Sequence, residues 1–348
     1  MNYRQDLNYQ KIKTSSYNVI NPDLELLHEL LTIQSPSMCE TAMIDFIENY
    51  IENKFNNVVV EKDKIGNLYV TKGSLYEDEY YPCVVAHTDE VHDFNHYRVI
   101  INTGDFFTGW CNKYGCRDGI GADDKVGIFI ALTLLEYVDV LKIFLPVQEE
   151  IGLIGTKNAK MEWFKDVGYL MQCDRRGHND LITFTNGVDV ASDDFIEDVY
   201  EIMRNYKYKK ANGTCTDVGG LVLQGVGVSA VNISCGYYDE HTDEELIYIP
   251  ALVNCLNMVN YMITHCGNSL YEHNIDKKMK YNTYDKYPYD KYPYDNPGYD
   301  HYDDYYDFSP AFQTAYNDVN LDEVSDIYDY PCNNCKDVGN CINCKKWD

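Results

Sequence analysis

No run of about 18 apolar residues occurs in the 348-residue chain, so the sequence offers no membrane-spanning helix. The first ten residues, MNYRQDLNYQ, lack both the basic and the apolar region of a secretory signal. Positive charge is scarce as well: 29 lysines and arginines stand against 56 aspartates and glutamates, a formal charge of −27. A field of that sign repels phosphate backbones and anionic lipids alike, which argues against nucleic-acid and membrane-surface partners. The thirteen cysteines do not form the pattern of a secreted disulfide scaffold, since nine are scattered singly and four sit in the last seventeen residues. A soluble, cytoplasmic protein with reduced thiols is expected.

Hydrophobic residues make up 45% of the chain, enough to bury a real core. The 33 tyrosines are unevenly spread. From Tyr281 a five-residue period, YNTYD KYPYD KYPYD NPGYD, carries Tyr-Asp four times. Its prolines remove backbone donors and its aspartates leave no apolar face, so a disordered low-complexity tail is expected over 276–331, with partner binding or tyrosine phosphorylation as lesser roles. Residues 332–348 follow, with Cys332, Cys335, Cys341 and Cys344 in two CxxC pairs. That spacing suits a structural zinc site, although the five-residue spacer is short for a zinc ribbon; free thiols on a tail are the alternative. The compact domain is expected over 1–275.

Within it, Asn21-Pro22-Asp23 caps a short helix carrying Leu24, Leu27, Leu30 and Leu31, with proline expected at its first position. Ser37 and Glu40 form the capping box S-x-x-E ahead of a helix expected over 38–54. Apolar runs predict strands at 58–63, 67–73, 83–87, 142–147, 169–174 and 228–234. Helices are predicted from Asp124, over 192–205 and from Pro250 to His265. This alternation predicts an α/β fold: a mostly parallel central sheet with helices on both faces, whose sites gather at the carboxyl edge of the strands.

Charged residues fall at those strand ends. His87-Thr88-Asp89 closes one strand, and a His-x-Asp pair can be a metal ligand with the carboxylate that orients it, or simply a capped strand end. Gly119-Ile120-Gly121-Ala122-Asp123-Asp124 opens the buried helix, where glycines permit a tight turn and an aspartate serves as cap or ligand. Glu149 and Glu150 end the central strand, and adjacent carboxylates there are costly unless cations or protons offset them. Asp174 ends the next strand, and His241 follows the last. Singly each is bland; together five successive elements bring His, Asp or Glu to one edge.

The ordered motifs AHTDEV, GADDKVG, EEIG, CDRRG and GYYDEHTDEE resemble the co-catalytic zinc exopeptidases of the M20, M28 and M42 metallopeptidase clan, with peptidase T among the nearest in wording. The resemblance covers about residues 20–266. It implies metal-dependent hydrolysis of amide bonds at a dinuclear zinc site, with cobalt or manganese as substitutes, most simply by an aminopeptidase on short peptides. It implies that His87 and Asp174 bind one ion, Glu150 and His241 the other, and Asp123 both. Asp89 would orient His87, and Glu149 would be the general base. A cis Asp123–Asp124 peptide is implied too. Dipeptidases, carboxypeptidases and N-acyl amino-acid deacylases share these motifs, and a peptidase-derived binding or scaffold protein is the alternative of another class.

Many relatives insert a lid, but the gaps from His87 to Asp123 and from Asp174 to His241 leave no room for one, and a compact architecture without a lid domain is expected. Weaker signals surround the motifs. His92 and His96 are candidates for substrate contact or simply solvated loop histidines, Arg175, Arg176 and His178 for holding a substrate carboxylate or for charge balance, Asp217 for a site role or a helix cap, and Tyr237 and Tyr238 for an oxyanion donor. Oligomeric state is not readable.

Overall fold

Side chains that alternate between two apolar layers define the centre of the fold. The structure, a computed structural model, describes residues 19–185 and 187–275. The expected Tyr/Asp-rich tail and the cysteine pairs at Cys332, Cys335, Cys341 and Cys344 lie outside the described residues. A nine-stranded sheet runs in the order Val58–Lys62, Leu68–Lys72, Leu141–Leu145, Tyr81–Val85, Val167–Arg175, Ser229–Ser234, Asp180–Thr185 and Val188–Asp189, with Lys209–Gly213 paired to Asp180–Thr185. The four central strands, from Leu141–Leu145 to Ser229–Ser234, are parallel. The strands flanking them, Leu68–Lys72 and Asp180–Thr185, pair antiparallel to that core. The sheet is therefore mixed: parallel where its strands are buried on both faces, antiparallel where Leu68–Lys72 and Asp180–Thr185 join that core, and parallel again between Asp180–Thr185 and Lys209–Gly213.

One face carries Val84, Ile143, Met171 and Val231 against the helices Leu24–Thr32, Thr41–Lys54, Ala122–Tyr137, Asp193–Asn205 and Ile249–Cys266. The other carries Val85, Phe144, Leu170 and Ala230 against the helix Asp217–Gln224 and the 3-10 turn Met161–Phe164. Burial on both faces explains why these strands read as unbroken apolar runs. Phe144 is fully buried, with ring centroids 5.1 Å from Tyr69 and 5.2 Å from Phe164. Phe144→Ala should cost about 3–5 kcal/mol of stability, read as a lower urea midpoint.

Two helix starts differ from the sequence expectation. The first helix begins after Asp23, whose side chain accepts from the Glu25 amide, so Pro22 precedes the cap. The second begins at Thr41, and no capping box forms. The Ser37 hydroxyl instead donates to Asp89 Oδ2 at 2.6 Å, and Glu40 Oε1 accepts from the Met38 amide. A long-range carboxylate, fixed by the tertiary fold, outcompetes the local cap.

A second, five-stranded antiparallel sheet was not foreseen. It orders Tyr237–Tyr238, Leu246–Tyr248, Phe106–Cys111 and Arg98–Asn102, with Cys116–Asp118 paired to Phe106–Cys111. Its hairpin turns through Thr103-Gly104-Asp105, with Gly104 at φ +95°. Three of its strands take up the chain between His87 and Asp123, and the other two flank the turn that holds His241; no lid domain stands among the described residues.

Candidate active site

The four central strands run the same way, so the loops after them open on one edge. His87 lies two residues beyond Tyr81–Val85, Glu149 and Glu150 four and five beyond Leu141–Leu145, Asp174 at the end of Val167–Arg175, and His241 in the turn after Tyr237–Tyr238. Asp123 enters from the first turn of Ala122–Tyr137, which Gly121 opens at φ +63°. The Asp123–Asp124 peptide is cis. Asp124 turns away from Asp123 to cap the helix: its Oδ1 accepts from the Gly127 amide at 3.0 Å, and its Oδ2 from the His87 amide at 3.2 Å.

Asp123 stands at the centre. Its Oδ1 is 2.9 Å from His87 Nε2, and its Oδ2 is 3.3 Å from His241 Nε2. Asp174 Oδ1 is 3.8 Å from His87 Nε2, and Glu150 Oε1 is 3.0 Å from His241 Nε2. Ligand atoms of His87, Asp123 and Asp174 thus lie within 4.8 Å of one another, as do those of Asp123, Glu150 and His241. Glu149 falls within the same distance of His87 and Glu150, one residue from each set.

Behind these groups, Asp89 Oδ1 is 3.3 Å from His87 Nδ1. The same carboxylate accepts from the amides of Glu149 at 2.8 Å and Glu150 at 3.2 Å, so one buried aspartate ties two strand ends together. Gln172 Nε2 donates to Asp174 Oδ2 and to Asp217 Oδ2, both at 3.0 Å. Asp217 also accepts from the Thr156 hydroxyl, while Thr216 rather than Asp217 caps the helix behind it. The site roles of Ser37, read from the sequence only as a helix cap, and of Gln172 depend on Asp89 and Asp217, which are distant in the chain.

Electrostatics mark the site as short of positive charge. Desolvation would raise the Asp123 carboxyl, but the bonds from His241 and His87 outweigh it and hold the group far below the carboxylate range. Asp174 is pushed well up by burial and then by Asp123, and Glu149 by burial together with the charges of Asp217, Asp174 and Glu150. Burial raises Glu150 too, and lifts Asp217 to about 6. The bonds to Asp123 and Glu150 raise His241 to about 11; His87 rises against its own burial through Asp123, Asp174 and Asp89. Crowded carboxylates of this kind are stable when cations offset them. The donor set, two imidazoles and three carboxylates without thiolate, fits two divalent ions of the zinc class.

Most of the remaining candidates are engaged elsewhere. His92 Nε2 is 3.0 Å from Glu245, Arg175 is 3.6 Å from Asp180, and Arg176 is 2.8 Å from Glu240. His178 Nδ1 is 2.7 Å from the Tyr238 hydroxyl, and the Tyr237 hydroxyl donates to Asp174 Oδ1 at 3.1 Å. Tyr237 is thereby tied to a carboxylate of the site. His96 lies in the exposed loop that precedes Arg98–Asn102.

No family model matches the chain, and no curated protein matches it significantly. Solved structures do. Aminopeptidase PepT from Bacillus cereus superposes with a TM-score of 0.57 at 14% identity, over 70% of this chain and 97% of that one. A tripeptidase from Staphylococcus aureus gives 0.53 at 14% identity, over 69% and 96%. An aminopeptidase from the archaeon Desulfurococcus kamchatkensis gives 0.52 at 18% identity, over 69% and 94%. Over about 70% of its length, this chain has a fold like that of these aminopeptidases and the tripeptidase.

Proposed function

We propose that the chain is a dinuclear zinc exopeptidase, an aminopeptidase acting on short peptides. The observation that carries this is the division of Asp123, one oxygen towards His87 and the other towards His241. His87 and Asp174 would hold one ion, Glu150 and His241 the other, and Asp123 would contribute to both. When bound, the ions polarise the amide carbonyl and acidify a water for attack. Asp89 fixes the ring of His87 and, through the amides of Glu149 and Glu150, aims both glutamates. Glu149 takes the proton of the attacking water and passes it to the leaving amine. Its raised affinity for protons suits that exchange.

Charge supports trimming from the amino end. Asp89, Asp123, Asp124, Glu149, Glu150, Asp174 and Asp217 converge on the site, and the two arginines that follow Asp174 are paired with Asp180 and Glu240. Such a field favours a protonated α-amine over a carboxylate. The structural neighbours described as aminopeptidases and a tripeptidase support the same substrate class.

The test is to incubate the zinc-loaded protein with a peptide mixture, free and N-acetylated. Free peptides should lose residues from their amino ends and acetylated ones should stay intact. Chelation should abolish hydrolysis, and zinc or cobalt should restore it. Full activity in a rigorously metal-free sample would overturn the proposal, and trimming from the carboxyl end would replace it with a carboxypeptidase.

A further inference from the structure

Glu245 immediately precedes the strand Leu246–Tyr248, four residues after His241, and its side chain has essentially no solvent contact. A carboxylate in that position is costly unless its oxygens are fully engaged. They are engaged by one loop. Glu245 Oε2 accepts from the amides of Ile120 at 2.8 Å and Gly121 at 2.7 Å, and Oε1 accepts from the amide of Asp123 at 3.2 Å. His92 Nε2 stands 3.0 Å from Oε2 and closes the fourth side. The bonds cross more than a hundred residues of sequence and join the two segments that carry Asp123 and His241.

The loop is shaped for this grip. A Cβ on Gly119 would lie 2.0 Å from the His92 ring, and one on Gly121 would lie 1.9 Å from Glu90 Oε2. Without side chains at either position, the backbone presses down and turns its amides onto Glu245. Lys125 Nζ donates to the Ile120 carbonyl at 3.1 Å and holds the loop from the opposite direction. His241 has less support of its own: its side chain is 46% exposed, and its turn passes through positive φ at Asp239 and His241.

We infer that Glu245 is a positioning residue that sets the spacing between Asp123 and His241, and with it the grip of the Asp123–Glu150–His241 set on its ion. The inference rests on the dinuclear reading above. His87 and Asp174 need Glu245 less, because Asp89, Gln172 and Asn232 anchor them at the strand ends. Glu245→Gln keeps the size of the side chain but replaces one acceptor oxygen with a donor facing backbone N–H groups.

Two measurements on the full chain test this. The first titrates zinc into wild type and Glu245→Gln in a metal buffer, with metal per chain read by elemental analysis and cobalt(II) absorption as a second probe. The variant should bind one ion as wild type does and the other about ten- to a hundredfold more weakly, the size of effect expected for groups that orient ligands. Unchanged affinity for both ions, or equal weakening of both, would overturn the inference. The second needs no variant: hydrogen exchange of metal-free wild type. If Glu245 holds the loop, the segment spanning residues 119–124 should already be protected without metal. Free exchange there, with protection gained only on adding zinc, would show that the metal and not Glu245 organises the loop. A wild type that binds no zinc would refute the dinuclear reading and leave the loop result standing.

Discussion

Glu149→Gln is expected to lower turnover about a hundredfold or more while leaving metal content at the wild-type level. The two side chains have nearly the same size, and the Glu149 amide that bonds to Asp89 Oδ1 is unaffected, so the turn holding Glu150 should keep its place. What disappears is the capacity to accept a proton. The comparison variant is Glu150→Gln, which should lose affinity for one ion, because Glu150 Oε1 is the oxygen that meets His241. Rate and metal content, measured on the same samples, separate base from ligand. An active Glu149→Gln enzyme, or one that has lost its metal, would reverse the roles.

Asp123→Asn should have the broader effect, loss of both ions rather than one. In the proposed arrangement Asp123 serves both ligand sets, with His87 and Asp174 on one side and Glu150 and His241 on the other. An amide nitrogen cannot replace the second carboxylate oxygen, and the neutral group leaves fewer negative charges to balance two dications. Metal per chain should fall from about two towards zero, with activity below detection. Retention of both ions by this variant would show that the bridge lies elsewhere. By contrast, Asp174→Asn should spare the ion held by Glu150 and His241, since Asp174 meets only the His87 set.

The central strands were legible because burial on both faces leaves a mark in the sequence. CVVAH, KIFLPV and YLMQCD are apolar runs that became Tyr81–Val85, Leu141–Leu145 and Val167–Arg175. The small sheet was overlooked although RVIINTGDFFTGW holds a turn sequence between two strand-forming runs. Its signal is weaker because Arg98–Asn102 is only partly buried, and Gly109 interrupts the next strand where a Cβ would meet the Asp118 carbonyl at 2.1 Å. At the second helix, local chemistry was misleading. Ser37 and Glu40 have the spacing of a capping box, but Asp89 draws the serine away.

The kind of chemistry available is written in the order of residues: which strands end in His, Asp or Glu, in what succession, and with a surplus of carboxylates. Those features are local, written in residue type and in spacing from an apolar run. Which groups face one another depends on how the chain folds. Folding set Asp123 between His87 and His241, sent Gln172 to both Asp174 and Asp217, and turned three amides of one loop onto Glu245. The physical reason is that a buried carboxylate is stable only when its oxygens are engaged, and the donors that engage Glu245 are mostly backbone N–H groups. Every residue but proline carries one, so no pattern of residue types announces where they will point.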